Sequence, residues 1–231
     1  MTKGLQITGA SKYYNEGMNR IPALDNVSIN VQTGEFVAVV GPSGSGKSTF
    51  LSVAGALLKA TEGEVILNGQ DISKLSGNQL SDIRLREIGF IMQASNLVPY
   101  LNVLEQLLVV KRMAGKVAAA DKAFAVKLLE ELGLGAKLKS YPEELSGGEK
   151  QRTAIARALI NDPHVILADE PTASLDTKRA HEVVSLIAHE VRTRHKAAIM
   201  VTHDDRMLTY CDKVYRMEDG KLSLVPAGRL V

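Results

Sequence analysis

The spacing of apolar residues predicts β-strands that alternate with helices along most of the chain. Val27, Ile29 and Val31 alternate with polar residues, which is the pattern of a half-buried strand. Continuous apolar runs, typical of buried strands, lie at residues 36–40, 88–92, 165–168 and 197–201. Helical spacing is found at Phe50, Leu51, Val53, Ala54, Leu57 and Leu58, and again over residues 177–195. This alternation indicates an α/β fold with a mostly parallel sheet.

Residues 94–145 break the alternation. Their Ala-, Leu- and Lys-rich sequence predicts one helix through residues 103–111, and a second helix that Asp121 caps and Gly133 ends. We interpret this segment as a helical subdomain inserted into an α/β core. The core then consists of residues 1–93 and 146–231, and residues 1–231 form a single domain.

Shorter elements are predicted in the first third of the chain. Leu5 and Ile7 suggest a strand, and residues 64–69 read as a strand that closes in an Asn-Gly turn. Residues 81–86 are expected to form a short basic helical turn. Residues 13–19 are predicted to be a polar loop that carries Tyr13 and Tyr14. An exposed tyrosine commonly has no special role, but tyrosines just ahead of a nucleotide site could also stack on adenine.

A glycine-rich loop joins the strand at residues 36–40 to the helix after it. The loop consists of Gly41, Pro42, Ser43, Gly44, Ser45, Gly46, Lys47, Ser48 and Thr49. It fits the phosphate-binding pattern of Gly, four residues, then Gly-Lys-Ser/Thr. Glycines let backbone N–H groups face phosphate oxygens, and the following helix directs the positive end of its dipole at the same anion. The alternative is a flexible glycine turn that contains a lysine by chance.

The residues at the end of this loop indicate what the phosphates would meet. The Lys47 ammonium would contact the β- and γ-phosphates, and the Ser48 hydroxyl is a hard oxygen ligand for Mg²⁺. The loop therefore predicts a site for a nucleoside triphosphate with Mg²⁺. It does not by itself distinguish one class of nucleoside triphosphatase from another.

Composition narrows the class of protein. The chain has 231 residues, of which 45% are apolar and 23% charged, so it can bury a core. The net charge of +2 gives no argument for nucleic-acid binding. Cys211 is the single cysteine, which excludes an internal disulfide and suits a reducing compartment. The polar N-terminus does not read as a signal peptide, and the apolar runs are too short to span a membrane. Work at a membrane would therefore require a partner.

Residues 145–152, which read LSGGEKQR, resemble the signature sequence of ATP-binding-cassette (ABC) ATPases. A purely local interpretation is that Ser146 and Glu149 form a capping box at the start of a helix. A capping box does not require Gly147 and Gly148, which leave the helix N-terminus open to an anion. In ABC ATPases this stretch meets the γ-phosphate bound to the opposite subunit.

Further motifs of the ABC ATPases occur in this chain, in the same order as in the family. The resemblance implies that Gln93 senses Mg²⁺, that Asp169 holds Mg²⁺ through water, and that Glu170 is the general base for the attacking water. It implies that His203 contacts the γ-phosphate and that Asp176 lies in the dimer-interface loop. Without the resemblance, Asp169 and Glu170 could cap a helix or lie in a surface turn, and His203 could be an ordinary strand-end histidine.

The resemblance extends over essentially the whole chain and assigns a complete ATP site. Catalysis is assigned to Glu170, His203, Lys47 and Gln93. Mg²⁺ is assigned to Ser48, Gln93 and Asp169. ATP contacts are assigned to Tyr14, Gly41, Ser43, Gly44, Ser45, Gly46, Lys47, Ser48, Thr49, Ser146, Gly147, Gly148, Glu149 and Asp176. The fold it implies is an ABC-type P-loop NTPase core with an N-terminal antiparallel β subdomain and an inserted α-helical subdomain.

The resemblance also implies partners. The signature glycines and the phosphate loop of one chain cannot reach the same nucleotide, so a head-to-tail homodimer with two ATP molecules is expected. Residues 41–50 and 82–86 resemble the ATPase subunits of the MacB, LolD and FtsE group. This group implies an integral membrane permease, MacB/FtsX-like and HrtB-type, at the surface of the Gln93 loop and the helical subdomain. The chain would then lie on the cytoplasmic face of a bacterial cell membrane.

The cargo is indicated by a finer resemblance. Residues 88–106, 145–152 and 168–176 are most similar to the ATPases of bacterial haem-efflux systems, with haem bound by the permease rather than by this chain. The alternatives are the ATPase of a lipoprotein, peptide or antibiotic exporter, and an FtsE-like cassette that transmits ATP cycles to a cell-wall enzyme. An ABC ATPase of DNA repair or translation is disfavoured by the near-neutral charge and the single cassette.

Overall fold

Two β-sheets form the frame of the computed structural model, which describes residues 4–16 and 19–226. The strands are β1 (Gly4–Glu16), β2 (Asn19–Gln32), β3 (Phe36–Val40), β4 (Glu62–Leu67), β5 (Gln70–Asp71), β6 (Ile88–Ile91), β7 (Val165–Asp169), β8 (Ala197–Val201), β9 (Lys213–Glu218) and β10 (Lys221–Leu224). The helices are α1 (Lys47–Ala54), α2 (Gly77–Glu87), α3 (Val103–Ala114), α4 (Ala119–Glu131), α5 (Gly147–Leu159) and α6 (Thr177–Thr193). Short 3-10 helices lie at Gly135–Lys137, Pro142–Glu144 and Asp205–Tyr210.

The larger sheet has the strand order β10-β9-β3-β8-β7-β6. Every neighbouring pair from β9 to β6 is parallel, and only β10 runs antiparallel. The smaller sheet has the order β2-β1-β4-β5 and is antiparallel throughout. The predicted α/β core and the antiparallel N-terminal sheet are therefore both confirmed.

The larger sheet is buried on both faces, which explains its continuous apolar strands. Successive residues of β7 point to opposite sides of the sheet. Val165 and Leu167 join a cluster with α1 and the antiparallel sheet, whereas Ile166 and Ala168 join a cluster with the helices α3 to α6. The helices of residues 94–145 thus pack on the second face of the core. The boundaries of that subdomain stay a prediction.

The polar loop predicted over residues 13–19 is wrong at Tyr13 and Tyr14. Both tyrosines lie on β1 and pair with Pro22 and Ile21 of β2. Tyrosine favours strands, and this long hairpin gains pairing partners that a local pattern does not show. Residues 17–18 lie outside the described part of the chain.

Several helices differ from their predicted bounds: α3 runs on to Ala114, α6 ends at Thr193, and three others differ at one end or both. Helix α1 ends at Ala54, so Leu57 lies beyond it and is 56% exposed. Helix α2 is longer than predicted, because Ser76 starts it with a capping box. The N-cap of α4 is Ala118 rather than Asp121. Asp121 lies in the first turn, where its carboxylate accepts a hydrogen bond from the Ala118 N–H at 2.8 Å.

The parallel strands bring the chemistry to one edge of the larger sheet. The glycine loop follows β3, Asp169 ends β7, and His203 follows β8. Gln93 follows the edge strand β6. In sheets of this kind ligands bind at the carboxyl ends of the strands. In the described part of the chain, no helix is long and apolar enough to cross a membrane.

Candidate active site

A cleft of about 810 Å³ opens at the carboxyl ends of β3, β7 and β8. It is lined by the following residues that the sequence predicted for the site: Gly41, Ser43, Gly44, Gly46, Lys47, Ser48, Thr49, Gln93, Asp169, Glu170 and His203. Residues far apart in the sequence thus meet around one space. Ser45 lies buried behind the loop, and Tyr14 lies beside the cleft rather than in its lining.

The glycines of the loop are required by close contacts to neighbouring backbone. A Cβ atom on Gly41 would lie 2.1 Å from the Met217 carbonyl oxygen, and one on Gly46 would lie 2.4 Å from the Ala23 carbonyl oxygen. Gly46 also has φ of 106°, a conformation that residues with a side chain rarely adopt. Any larger residue would have to push the loop away from β2 or β9.

Two polar groups of the loop are arranged for an anion. The Lys47 Nζ donates to the carbonyl oxygens of Gly41 and Pro42, each at 2.8 Å, which holds the ammonium across the loop. The Ser45 hydroxyl is buried and has no hydrogen-bond partner among the described residues. An unpaired buried hydroxyl is costly, and a group bound at the loop could relieve that cost only if the loop shifted to expose Ser45. The loop therefore fits a phosphate group.

Asp169 and Glu170 differ in their surroundings although they are adjacent. Burial raises the pKa of the Asp169 carboxyl, the charge of Glu170 raises that pKa further, and Lys47 opposes the rise. A cation bound beside Asp169 would stabilise its ionised form. Glu170 has φ of 47°, and its N–H donates to the Val201 carbonyl oxygen at 2.9 Å. This left-handed conformation places Glu170 on the turn that leaves the sheet.

The Glu170 carboxylate faces His203. The distance from Glu170 Oε2 to His203 Nδ1 is 2.5 Å. The His203 side chain is 68% exposed and that of Glu170 19% exposed, so the pair lies at the mouth of the cleft. A carboxylate in this position can accept a proton from a water molecule in the cleft, and the imidazole can orient it.

The donors for a metal ion are oxygen atoms. Ser48, Gln93 and Asp169 all line the cleft and offer a hydroxyl, an amide oxygen and a carboxylate. These are the hard ligands that Mg²⁺ prefers, and Mg²⁺ commonly takes its remaining ligands from substrate phosphates and water. Within residues 4–16 and 19–226, no group of three or more His, Cys, Asp and Glu side chains could hold a metal. The donor set fits Mg²⁺ bound together with a triphosphate.

The two tyrosines of β1 point to opposite faces of the hairpin. Tyr14 pairs with Ile21, which lines the cleft, and its side chain is 49% exposed. The Tyr13 ring is covered by the Arg20 guanidinium, 3.9 Å from the ring centroid. Tyr14 is therefore better placed than Tyr13 to stack on a flat ligand at the open end of the cleft.

The signature residues lie in a different place. Ser146 and Glu149 form the predicted capping box, with the Glu149 carboxylate accepting from the Ser146 N–H at 2.8 Å. That hydrogen bond is the largest cause of the lowered pKa of Glu149. Ser146 and Gly148 line a second, smaller concavity, and Asp176 caps α6 through the Arg179 N–H at 3.0 Å. None of these residues lines the main cleft.

Part of the cleft was not predicted from the sequence. Residues 21–23 of β2 and the turn Asp219-Gly220 between β9 and β10 also line it. An Asp-Gly pair between two strands is a recognised hairpin signal, so the turn was within reach of the sequence. The position of this turn beside the glycine loop could not be predicted from the sequence, because it depends on the pairing of β9 with β3.

The chain resembles known proteins over most of its length. The sequence model of the family "ABC transporter" matches residues 24–173. A Staphylococcus haemolyticus protein named "Putative hemin import ATP-binding protein HrtA" is 46% identical over 220 residues, which cover 95% of this chain and 99% of that protein. A Staphylococcus aureus (strain Newman) protein of the same name is 46% identical over 212 residues, covering 92% of this chain and 96% of that protein.

A solved structure shares the fold. It is described as the "Dimeric structure of a post-hydrolysis state of the ATP-binding cassette MJ0796 bound to ADP and Pi". The TM-score is 0.84 at 35% sequence identity, and the match covers 96% of this chain and 99% of that one.

Proposed function

Because this chain belongs to the ABC transporter family as the ATP-hydrolysing subunit that powers a membrane permease, we propose that it drives the efflux of haem. The proposed cargo rests on one observation. The chain is similar to relatives named for hemin along nearly the full length of those relatives. Those names state import. Efflux is our proposal, which follows the resemblance of residues 88–106 to the ATPases of haem-efflux systems.

We assign the hydrolysis steps to residues of the cleft. The Lys47 ammonium and the N–H groups of the loop neutralise the β- and γ-phosphate oxygens. Glu170 accepts the proton of the attacking water, and His203 orients Glu170 and the γ-phosphate. Mg²⁺, which Ser48, Gln93 and Asp169 would hold, supplies further positive charge at the phosphates.

We propose that the working form is a head-to-tail homodimer. Gly147 and Gly148 support this, since a Cβ atom on either would meet its nearest neighbour only at 3.8 Å, an ordinary contact. Nothing within residues 4–16 and 19–226 thus requires glycine there, in contrast to Gly46. A ligand presented by a second copy would explain both glycines, with Ser146 and Asp176 reaching the same ATP.

We propose that the permease binds at the segment after Gln93 and on the helices of residues 94–145. Large apolar side chains are exposed on these segments: Val98 (40%), Tyr100 (84%) and Met113 (71%). The chain would then lie on the cytoplasmic face of the membrane, and haem would be bound by the permease.

A partly buried arginine supports communication between this surface and the signature helix. Arg157 of α5 donates to the carbonyl oxygens of Ser95 at 2.6 Å and Asn96 at 2.8 Å. Burial lowers the pKa of its guanidinium. A displacement of the Gln93 segment by the permease would therefore act on α5, which begins at the signature glycines.

The test is a haem challenge of bacteria that express the chain together with the permease encoded beside it. We expect lower intracellular haem and better growth than in cells with the Glu170→Gln variant, which should keep ATP binding. Higher intracellular haem than in the Glu170→Gln cells would show that the direction of transport is import. No difference in intracellular haem would refute haem as the cargo. The remaining candidates would then be lipoprotein or peptide export, or mechanical signalling to the cell wall.

A further inference from the structure

Arg206 lies three residues after His203, and its guanidinium joins two loops beside the cleft. On its own loop it forms two parallel hydrogen bonds with the Asp204 carboxylate, at 2.8 Å from Nε and 2.7 Å from Nη2. On the other loop its Nη1 donates to the Thr177 hydroxyl at 2.8 Å. Thr177 is the first residue of α6 and follows Asp176 directly. One side chain thus ties the His203 loop to the segment that runs from Glu170 to α6.

Hydrogen bonds hold the backbone on both sides of His203. The Asp204 N–H donates to the hydroxyl of Thr202, which is fully buried at the end of β8. The Asp204 carboxylate also accepts from the Arg206 N–H at 3.1 Å, which starts the 3-10 helix Asp205–Tyr210. His203 therefore has an exposed side chain on a restrained backbone.

The geometry distinguishes Arg206 from an ordinary surface ion pair. An exposed pair usually contributes little, because ordering two long side chains costs entropy. Arg206 is 56% exposed, but its two bonds to Asp204 fix the plane of the guanidinium. The Nη1 group can then donate to Thr177 with little further loss of side-chain entropy. Lysine would keep the charge beside Asp204 but could not present this planar set of donors.

We propose that Arg206 is a positioning residue for ATP hydrolysis. By joining Asp204 to Thr177, it holds the His203 imidazole against the Glu170 carboxylate and sets this pair relative to Asp176. The phosphate loop joins β3 to α1, and no hydrogen bond of Arg206 in the described part of the chain reaches it, so the effect of Arg206 falls on hydrolysis rather than on ATP binding by that loop. The inference rests on the proposed roles of Glu170 and His203.

The test is a double-mutant cycle in the full-length chain with Arg206→Lys, Thr177→Val and the two combined. Each single variant is expected to lower kcat by about 3- to 30-fold, below the ~10²-fold that a misplacement of 1 Å can cost. The KM for ATP should stay within about twofold. The double variant should lose no more than Arg206→Lys alone, because both changes break the same bridge. Thr177→Ser, which keeps the hydroxyl, should restore kcat.

A matched control is Arg86→Lys. Arg86 is 52% exposed and bonds Asp82 at 2.8 Å on α2, away from the cleft, so kcat should not change. Losses of kcat that add in the double variant, or wild-type kcat in Thr177→Val, would overturn the proposal. So would a loss that merely follows a fall in Tm. The Glu170→Gln variant tests the role of Glu170 separately from the role of Arg206. Full activity of that variant would remove the proposed role of Glu170, whatever the double-mutant cycle shows.

Discussion

Replacing Gly46 by alanine is predicted to damage ATP binding through one close contact. The added Cβ would lie 2.4 Å from the Ala23 carbonyl oxygen, about 0.9 Å short of the ~3.3 Å at which carbon and oxygen normally meet. The obstacle is backbone of β2, so a side chain cannot turn aside. The loop and the first turn of α1 must move instead, and these carry Lys47 and Ser48.

The magnitude has two parts. A residue with a side chain in a left-handed conformation costs about 1–2 kcal/mol of stability, and Gly46 has φ of 106°. The displacement of the loop adds a loss of ATP affinity of at least about tenfold, or ~1.4 kcal/mol, because the N–H groups no longer converge on the phosphates. Stability and affinity should therefore both fall.

Gly34→Ala provides the matched comparison. Gly34 has φ of 86° in the turn before β3, but a Cβ atom there would meet nothing within 4 Å. The Gly34→Ala variant should therefore lose about as much stability as Gly46→Ala and bind ATP as the wild type does. Calorimetric titration with ATP and thermal unfolding of both variants separate the two effects. If Gly46→Ala bound ATP as tightly as Gly34→Ala, the account of the loop would be refuted.

Three further outcomes are expected. Glu170→Gln should lower kcat by about 10²- to 10⁴-fold and accumulate an ATP-bound dimer in size-exclusion chromatography; rapid turnover would remove Glu170 as the base. Tyr14→Ala should weaken ATP binding by about 1 kcal/mol without affecting inorganic triphosphate, whereas Tyr13→Ala should affect neither; equal weakening of both ligands would place adenine elsewhere. Asp169→Asn should raise the Tm of the ligand-free chain at pH 8. The raised pKa of Asp169 means that its ionised form opposes folding above that pKa, and the gain should vanish at acid pH, where the carboxyl is protonated in both states. An unchanged or lower Tm at pH 8 would contradict this sign.

The elements with the strongest local signals were predictable from the sequence. Residues 36–49 carry a buried strand and a glycine pattern that needs a tight turn, so a strand, a phosphate loop and a helix follow without tertiary information. The capping box of Ser146 and Glu149 is equally local. Asp169 and His203 lie at the ends of continuous apolar strands, but their roles came from the resemblance to ABC ATPases.

The remaining features depend on pairing between distant segments. The hairpin of β1 and β2 looks polar around residues 13–19, and only its partner strand shows that Tyr14 lies beside the cleft. Strands β9 and β10 were not predicted, although their turn contributes Asp219 to the lining. The bond from Arg206 to Thr177 spans 29 residues and has no sequence signature.

The most direct measurement is ATP hydrolysis by the purified chain in complex with its permease, with and without added haem. The account predicts that haem stimulates hydrolysis and that Glu170→Gln abolishes the stimulated rate. Hydrolysis that depends on Glu170 but is the same with and without haem would contradict the proposed cargo.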